Sequence, residues 1–226
     1  NTDDVIGGIF YPKDGKCNPA DTTMALAKGA RMKGAKIFED TKVDEVLVEN
    51  GRAVGVRTSE GIIRAQYVVC AAGMWSREIG QELGVNIPLH ACEHFYIVTE
   101  PMEGMTPDLP VMRDMDQCAY YKEDAGKLLL GAFEPKAKPW GMNGIREDFC
   151  FDELPEDFDH FAPILEGAMH RVPSLQKVGI RKFFNGPESF TADGRYLLGE
   201  TPEIEGLFCA TGFNSLGILS SGGVGK

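Results

Sequence analysis

The chain has 226 residues, 43% of them hydrophobic and 25% charged, and carries a formal net charge of −11. That charge excludes a general nucleic-acid binder, which needs a basic face against phosphates. No apolar run approaches the length of a membrane-spanning helix. The size allows one large domain or two smaller ones with a sizeable core.

The opening Asn1-Thr-Asp-Asp is acidic and lacks a basic segment followed by an apolar one, so no secretory leader is expected. Six cysteines stand at 17, 70, 92, 118, 150 and 209, without a Cys-x-x-Cys pair or zinc-ligand spacing. They read as buried free thiols in a reducing compartment, and no metal site is expected.

In chain order, residues 7–12 read as a short strand entering a turn at 12–15. A helix follows: Asn18 suits the N-cap, Pro19 the first helical position, and Gly34 the stop. Strand-like runs come at 35–38, 43–49 and 53–58, with Asn50-Gly51 as a hairpin turn. A second turn at 59–61 leads to a run at 62–65.

Tyr67-Val-Val-Cys-Ala-Ala-Gly73 is short and continuously apolar, as in a strand buried on both faces of a parallel sheet. A short helix is predicted over 76–84. Beyond Pro88 the texture turns β-rich. A strand is read from His94 to 99, and a hairpin over 120–133 turns at 123–126. Residues 136–146 read as a loop, with Trp140 more a loop anchor than a lid.

Phe158, Phe161, Ile164, Leu165, Ala168 and Met169 fall at helical spacing and read as the core stripe of a helix within 153–172. A strand at 180–184 precedes a turn-rich stretch at 185–194, and an apolar strand at 207–211 ends at Gly212. A helix is expected to begin near Ser220 and to be cut short by Lys226.

Two buried strands thus end in glycine, at 73 and 212. Glycine there lets the backbone turn sharply and lie close to a ligand, which in open α/β sheets binds beyond such strand ends. No Gly-x-Gly-x-x-Gly opens the chain. Together with the short C-terminal helix, this leads us to expect a piece cut at both ends.

Several segments carry a specific resemblance. They are Pro12-Lys-Asp-Gly-Lys-Cys-Asn-Pro19, Ala71-Ala-Gly-Met-Trp-Ser76, His94-Phe-Tyr-Ile-Val-Thr-Glu-Pro101 and Tyr120-Tyr-Lys-Glu123. Asn185-Gly-Pro-Glu-Ser-Phe-Thr191 with Asp193-Gly194, and Gly212-Phe-Asn-Ser-Leu-Gly217, complete the set. In this order the chain resembles the D-amino-acid-oxidase-like flavoproteins, and within them the dimethylglycine and sarcosine dehydrogenases.

The resemblance implies a mixed α/β and α+β fold: part of a doubly wound FAD-binding domain, from 1–90 and 191–226, interleaved with a β-rich substrate domain, 91–190. It assigns Val43 to the adenosine half of FAD. It places Ala72, Gly73 and Trp75 near the cofactor, and Gly212, Phe213, Asn214, Ser215, Leu216, Gly217 and Ile218 around the flavin ring. The pyrophosphate loop and a histidine for covalent FAD attachment are expected in an N-terminal part outside this sequence. A tetrahydrofolate-binding portion is expected beyond its C-terminal end. An electron-transfer flavoprotein is an implied partner, with no nucleic acid and no membrane. The bacterial cytoplasm or the mitochondrial matrix is the implied location.

Oxidation of an N-methyl group requires a neutral amine, because the lone pair must support the iminium product. A group titrating near neutrality therefore belongs at the site, and His94 is the catalytic candidate. It is read at a strand start, where the resemblance puts an active-site histidine.

Tyr120 is the second candidate, to bond the substrate carboxylate or to orient His94. Strand alternation lets only one of Tyr120 and Tyr121 point into the site; the resemblance favours Tyr120, and Tyr121 reads as surface or core packing. A carboxylate asks for a cation, and Arg113, Lys122 and Arg181 remain open choices. His90, His160 and His170 read as structural or solvated. The leading function is thus FAD-dependent oxidation of dimethylglycine or sarcosine. A non-catalytic, partner-binding subunit of the same architecture is the alternative, and oxidation of a primary amine fits less well.

Overall fold

The computed structural model describes residues 1–226, a mixed α/β chain with three β-sheets and four α-helices. It divides into two compact units. One gathers residues 1–17, 93–138 and 148–187, and the other residues 18–92, 139–147 and 188–226.

The second unit opens with α1 (Pro19–Met32). Asn18 caps it, its side-chain oxygen accepting the Asp21 N–H at 3.2 Å, and Pro19 begins it. Gly34, at φ +91°, ends it. Its N–H donates to the Arg31 carbonyl while that of Ala35 reaches back to Ala30, the paired bonds of a Schellman stop.

Strands β1 (Val43–Glu49), β2 (Arg52–Thr58) and β3 (Gly61–Arg64) form an antiparallel meander. Asn50 and Gly51 both take positive φ, so the first turn has the primed geometry that matches strand twist. Strand β4 (Val68–Cys70) pairs in parallel with β11 (Leu207–Thr211), and β10 (Leu197–Glu200) flanks β11 antiparallel. Helix α2 (Ser76–Leu83) follows β4 and ends at Gly84, φ +70°. Helix α4 (Gly217–Val224) follows β11. Val46, Ala53, Cys70, Val85, Ile87, Leu89, Leu207 and Cys209 share the core of this unit.

The first unit holds most of a five-stranded sheet, in the order β6 (Met112–Asp114), β7 (Ala119–Asp124), β8 (Lys127–Ala132), β5 (Leu89–Thr99), β9 (Ile180–Thr191), of which residues 89–92 and 188–191 are counted with the second unit. Helix α3 (Phe158–Arg171) covers one face. Phe161, Ile164 and Ala168 pack onto Phe95, Ile97, Tyr121, Leu128, Leu130 and Phe183. Asp157 caps α3 by accepting the His160 N–H. Arg171 ties the last turn of α3 to Asp114 at 2.6 Å and to Asp4 at 2.7 Å.

Several elements differ from the sequence reading. Residues 7–12 and 35–38 form no strand, because neither finds a neighbouring strand to complete a hydrogen-bonded ladder. Strand β5 begins at Leu89, so His94 sits mid-strand rather than at a start. Strand β9 runs through the stretch read as turns. Pro187 is tolerated because β9 is an edge strand, where a missing N–H costs little. Helix α4 starts at Gly217 and includes Gly222 and Gly223. Of the cysteines, all free, Cys70, Cys92 and Cys209 are buried, but Cys17 and Cys150 are exposed.

Residues 1–17 and 139–147 also group differently from the sequence division. Lys16 binds Glu123 at 2.6 Å, and Lys122 donates to the Cys17 carbonyl, holding the N-terminal segment to β7. The N–H groups of Trp140 and Ile145 donate to the Ala91 carbonyl and to Glu78, holding 139–147 to the second unit.

Candidate functional site

The period-two alternation of strands sorts the five-stranded sheet into two faces. Phe95, Ile97, Ala119, Tyr121, Leu128 and Leu130 point to the α3 side. His94, Tyr96, Tyr120 and Phe133 point to the second face and are half-buried. Cross-strand register sets Arg113 opposite Tyr120, Tyr120 opposite Gly131, and Gly131 opposite Tyr96.

Phe133 is the ring these groups share. His94 lies 5.0 Å from its centroid, Tyr120 5.6 Å, and the Arg113 guanidinium carbon 4.9 Å. Tyr96 stacks on Phe184 at 4.4 Å, and burial raises its phenol pKa first, with Glu153 and Asp124 adding to the effect. The Tyr120 ring lies across Gly131, where a methyl group would overlap its Cζ, Oη and Cε1 atoms. Tyr121, by contrast, is 3% exposed. Burial, followed by Asp114, pushes its phenol up to about 12. The two adjacent tyrosines thus face opposite sides.

The glycine bends belong to the other unit. Because β4 and β11 are parallel neighbours, Gly73 and Gly212 close adjacent strand ends, with φ +55° and +68°. Thr211 Oγ1 donates to the Gly73 carbonyl at 2.9 Å and accepts from Ser76 Oγ at 3.0 Å, both side chains being buried.

After Gly212, Asn214 and Ser215 hold positive φ. Asn214 is fixed in that form: its amide donates to the Gly212 carbonyl, and its oxygen accepts the Thr191 N–H at 2.8 Å. Ser215 donates to Glu188, and Phe213 stacks on Tyr196. Ala72 begins the turn Gly73–Trp75. Trp75, Leu216 and Ile218 present apolar surface to the outside. Val43 stands apart in sequence and sheet, exposed at the first position of β1.

A Cβ on Gly73 would meet nothing within 4 Å, so the backbone there is open to close approach. The free first-turn N–H groups of α4 suit a carbonyl oxygen or an anion. The open backbone at Gly73 and these N–H groups are what a flavin carbonyl edge would require of its holder. No group of His, Cys, Asp and Glu residues is arranged to hold a metal ion. No helix is long and apolar enough to cross a membrane.

Sequence reasoning named His94, Tyr120, Gly73 and Gly212, but not Phe133 as the shared ring, Gly131 beneath Tyr120, or Thr211 and Thr191 as ties. A glycine inside a strand signals close approach by another group, and Gly131 carried that signal. His160, against the Phe95 ring and 3.6 Å from Glu134, and the exposed His170 lie outside the Phe133 group.

Comparison with known proteins matches the family model "FAD dependent oxidoreductase" (DAO) over residues 1–226. The chain is 42% identical over 222 residues to 4-methylaminobutanoate oxidase (formaldehyde-forming) of Paenarthrobacter nicotinovorans, covering 98% of this chain and 27% of that protein. It is 38% identical to the mitochondrial pyruvate dehydrogenase phosphatase regulatory subunit of Mus musculus, covering 100% and 26%. It is also 38% identical to the mitochondrial sarcosine dehydrogenase of Homo sapiens, covering 100% and 25%.

Among solved structures, L-proline dehydrogenase from P. horikoshii superposes with a TM-score of 0.80 at 26% identity, over 95% of this chain and 55% of that one. The chain spans 25–27% of the length of these curated relatives. With a family match along its whole length and a shared fold, the chain belongs to the FAD dependent oxidoreductases of the DAO family.

Proposed function

We propose that this chain supplies the flavin-ring and substrate-facing parts of an oxidoreductase that oxidises the N-methyl group of a small amino acid, sarcosine or dimethylglycine. The observation that carries this reading is the grouping of His94, Tyr120 and Arg113 around Phe133 on one sheet face. Identity to an N-methyl amino acid oxidase and to a sarcosine dehydrogenase supports it.

FAD, when bound, accepts the hydride that leaves the N-methyl carbon. Gly212 to Ile218 would surround its ring, Ala72, Gly73 and Trp75 would lie near it, and Val43 would contact its adenosine half. His94 takes the proton from the substrate ammonium, freeing the nitrogen lone pair that becomes the second bond of the iminium. Tyr120 bonds the carboxylate or orients the imidazole. Water then adds to the iminium, releasing formaldehyde and the demethylated amine.

Covalent attachment of FAD and capture of the one-carbon unit by tetrahydrofolate enter this reading only through segments outside residues 1–226. Electron-transfer flavoprotein is the proposed acceptor, and the bacterial cytoplasm or mitochondrial matrix the proposed setting.

A second reading has a specific support, the 38% identity to a phosphatase regulatory subunit. Under it the same fold binds a partner protein and turns nothing over. Anaerobic titration of the intact protein with sarcosine, dimethylglycine and 4-methylaminobutanoate separates the two. Bleaching of a flavin absorbance by one of these amines is expected. A protein without flavin absorbance, or whose flavin none of them reduces, would instead favour partner binding.

A further inference from the structure

A carboxylate substrate needs a cation, and the five-stranded sheet carries five: Arg113, Lys122, Lys127, Arg181 and Lys182. Four are engaged within the chain. Lys122 donates to the Cys17 carbonyl at 3.1 Å, and Lys127 to the Ala125 carbonyl at 3.4 Å. Arg181 lies 3.7 Å from Glu100, and Lys182 binds Glu153 at 2.6 Å. Arg113 makes no ion pair; its guanidinium rests over the Phe133 ring, the same ring that His94 and Tyr120 touch.

Its strand is also pinned. The neighbouring Asp114 points the other way and binds Arg171 at 2.6 Å while accepting the Gln117 N–H. A guanidinium stacked on an aromatic ring keeps its edge donors free, and they match the two oxygens of a carboxylate.

We infer that Arg113 holds the substrate carboxylate, and so selects amino acids over amines that lack a carboxylate. This rests on the proposed function, since it supposes that the second face of the sheet receives substrate.

The test uses the intact, flavin-loaded protein with Arg113→Gln and Arg113→Lys, and with Lys122→Gln and Arg181→Gln as comparisons. Each is assayed with the N-methyl amino acid that reduces the wild type and with its methyl ester, which lacks the carboxylate charge. Methoxyacetate, a carboxylate that cannot be oxidised by this route, is titrated separately through its perturbation of the flavin spectrum.

Arg113→Gln is expected to raise KM for the amino acid and Kd for methoxyacetate roughly 10- to 100-fold, the loss of a charge-assisted bond. It should leave kcat within about threefold, as uniform binding requires, and the ester constants unchanged. Arg113→Lys keeps the charge without the fork and should fall between. Equal change for acid and ester, no change for either, or a selective loss in Lys122→Gln or Arg181→Gln would overturn the assignment. Should no N-methyl amino acid reduce the wild type, the proposed function fails instead, and the methoxyacetate titration still reads Arg113.

Discussion

Replacing Gly131 by alanine tests whether the position of Tyr120 matters. Gly131 sits on β8 with Tyr120 and Tyr96 as its cross-strand partners, so the strand is hydrogen-bonded on both sides. The added methyl would overlap two atoms of the Tyr120 ring and its phenol oxygen. The ring is the end of a flexible side chain, so the ring moves rather than the strand. Tyr120 then leaves Phe133, now 5.6 Å away.

Overpacking of this kind costs about 1–3 kcal/mol, including a ring pair that contributes about 0.5–1.5 kcal/mol. The phenol is carried off with the ring. If it hydrogen-bonds a charged partner during turnover, about 1.5–3 kcal/mol is lost, a slowing of roughly 10- to 150-fold. Stopped-flow flavin reduction without oxygen, with thermal unfolding alongside, reads both effects. In a Tyr120→Phe background the same substitution should cost stability but no further rate. A Gly131→Ala protein that loses the expected stability yet reduces its flavin at the parental rate would refute a role for the Tyr120 phenol.

His94→Ala should slow flavin reduction by about 10²–10⁴-fold, the usual worth of a general base. The thermal midpoint should move little, since His94 is half-buried and lies on the sheet face away from the α3 core; unchanged reduction removes it from the mechanism.

Asn185, 1% exposed, donates to buried Glu93 at 2.7 Å and to the Pro155 carbonyl at 2.8 Å. Asn185→Ala should cost about 1.5–3 kcal/mol by denaturant titration, because Glu93 keeps only Lys138. An unmoved midpoint would show that Lys138 alone satisfies the carboxylate.

The ammonium of Lys138, and then the His160 N–H, hold the Asp157 carboxyl below its ordinary 3.8. A depressed folded value means that the stabilisation is whole above 3.8 and disappears as pH falls through the folded value. Asparagine still caps α3, so Asp157→Asn isolates the charge. Its stability deficit should be constant near neutrality and close below pH 3.8; a gap that persists in acid contradicts the assignment.

What the sequence made legible in the fold was local chemistry. Asn18-Pro19 and Gly34 bracket α1 because capping and left-handed stops are properties of a few adjacent residues. Asn50-Gly51 set the turn between β1 and β2 for the same reason. Strands at 7–12 and 35–38 were misread because a strand is completed by a neighbour, and apolar composition does not say whether one is present. Strand β9 was cut short for the opposite reason. Gly186 and Pro187 are turn formers in isolation, but an edge position removes the cost of a missing N–H.

In the candidate site, period-two geometry says only that Tyr120 and Tyr121 face opposite sides. The apolar run at 67–73 reads as a strand buried on both faces, but β4 leaves Val69 exposed, because one face of this short strand is left uncovered. What engages Arg113, Lys122 and Arg181 did not follow. It depends on partners remote in sequence: the Cys17 carbonyl for Lys122 and Glu100 for Arg181. Phe133 was hidden likewise, because only the register of β5, β7 and β8 brings His94 and Tyr120 against it.

Gly131 lies between these cases. It interrupts Leu128-Leu129-Leu130 and Ala132, where a strand would gain by another branched side chain. A glycine retained in such a run leaves room for something to lie on the backbone. The only residue that can do so from β7 is the one directly opposite in register, and that residue is Tyr120.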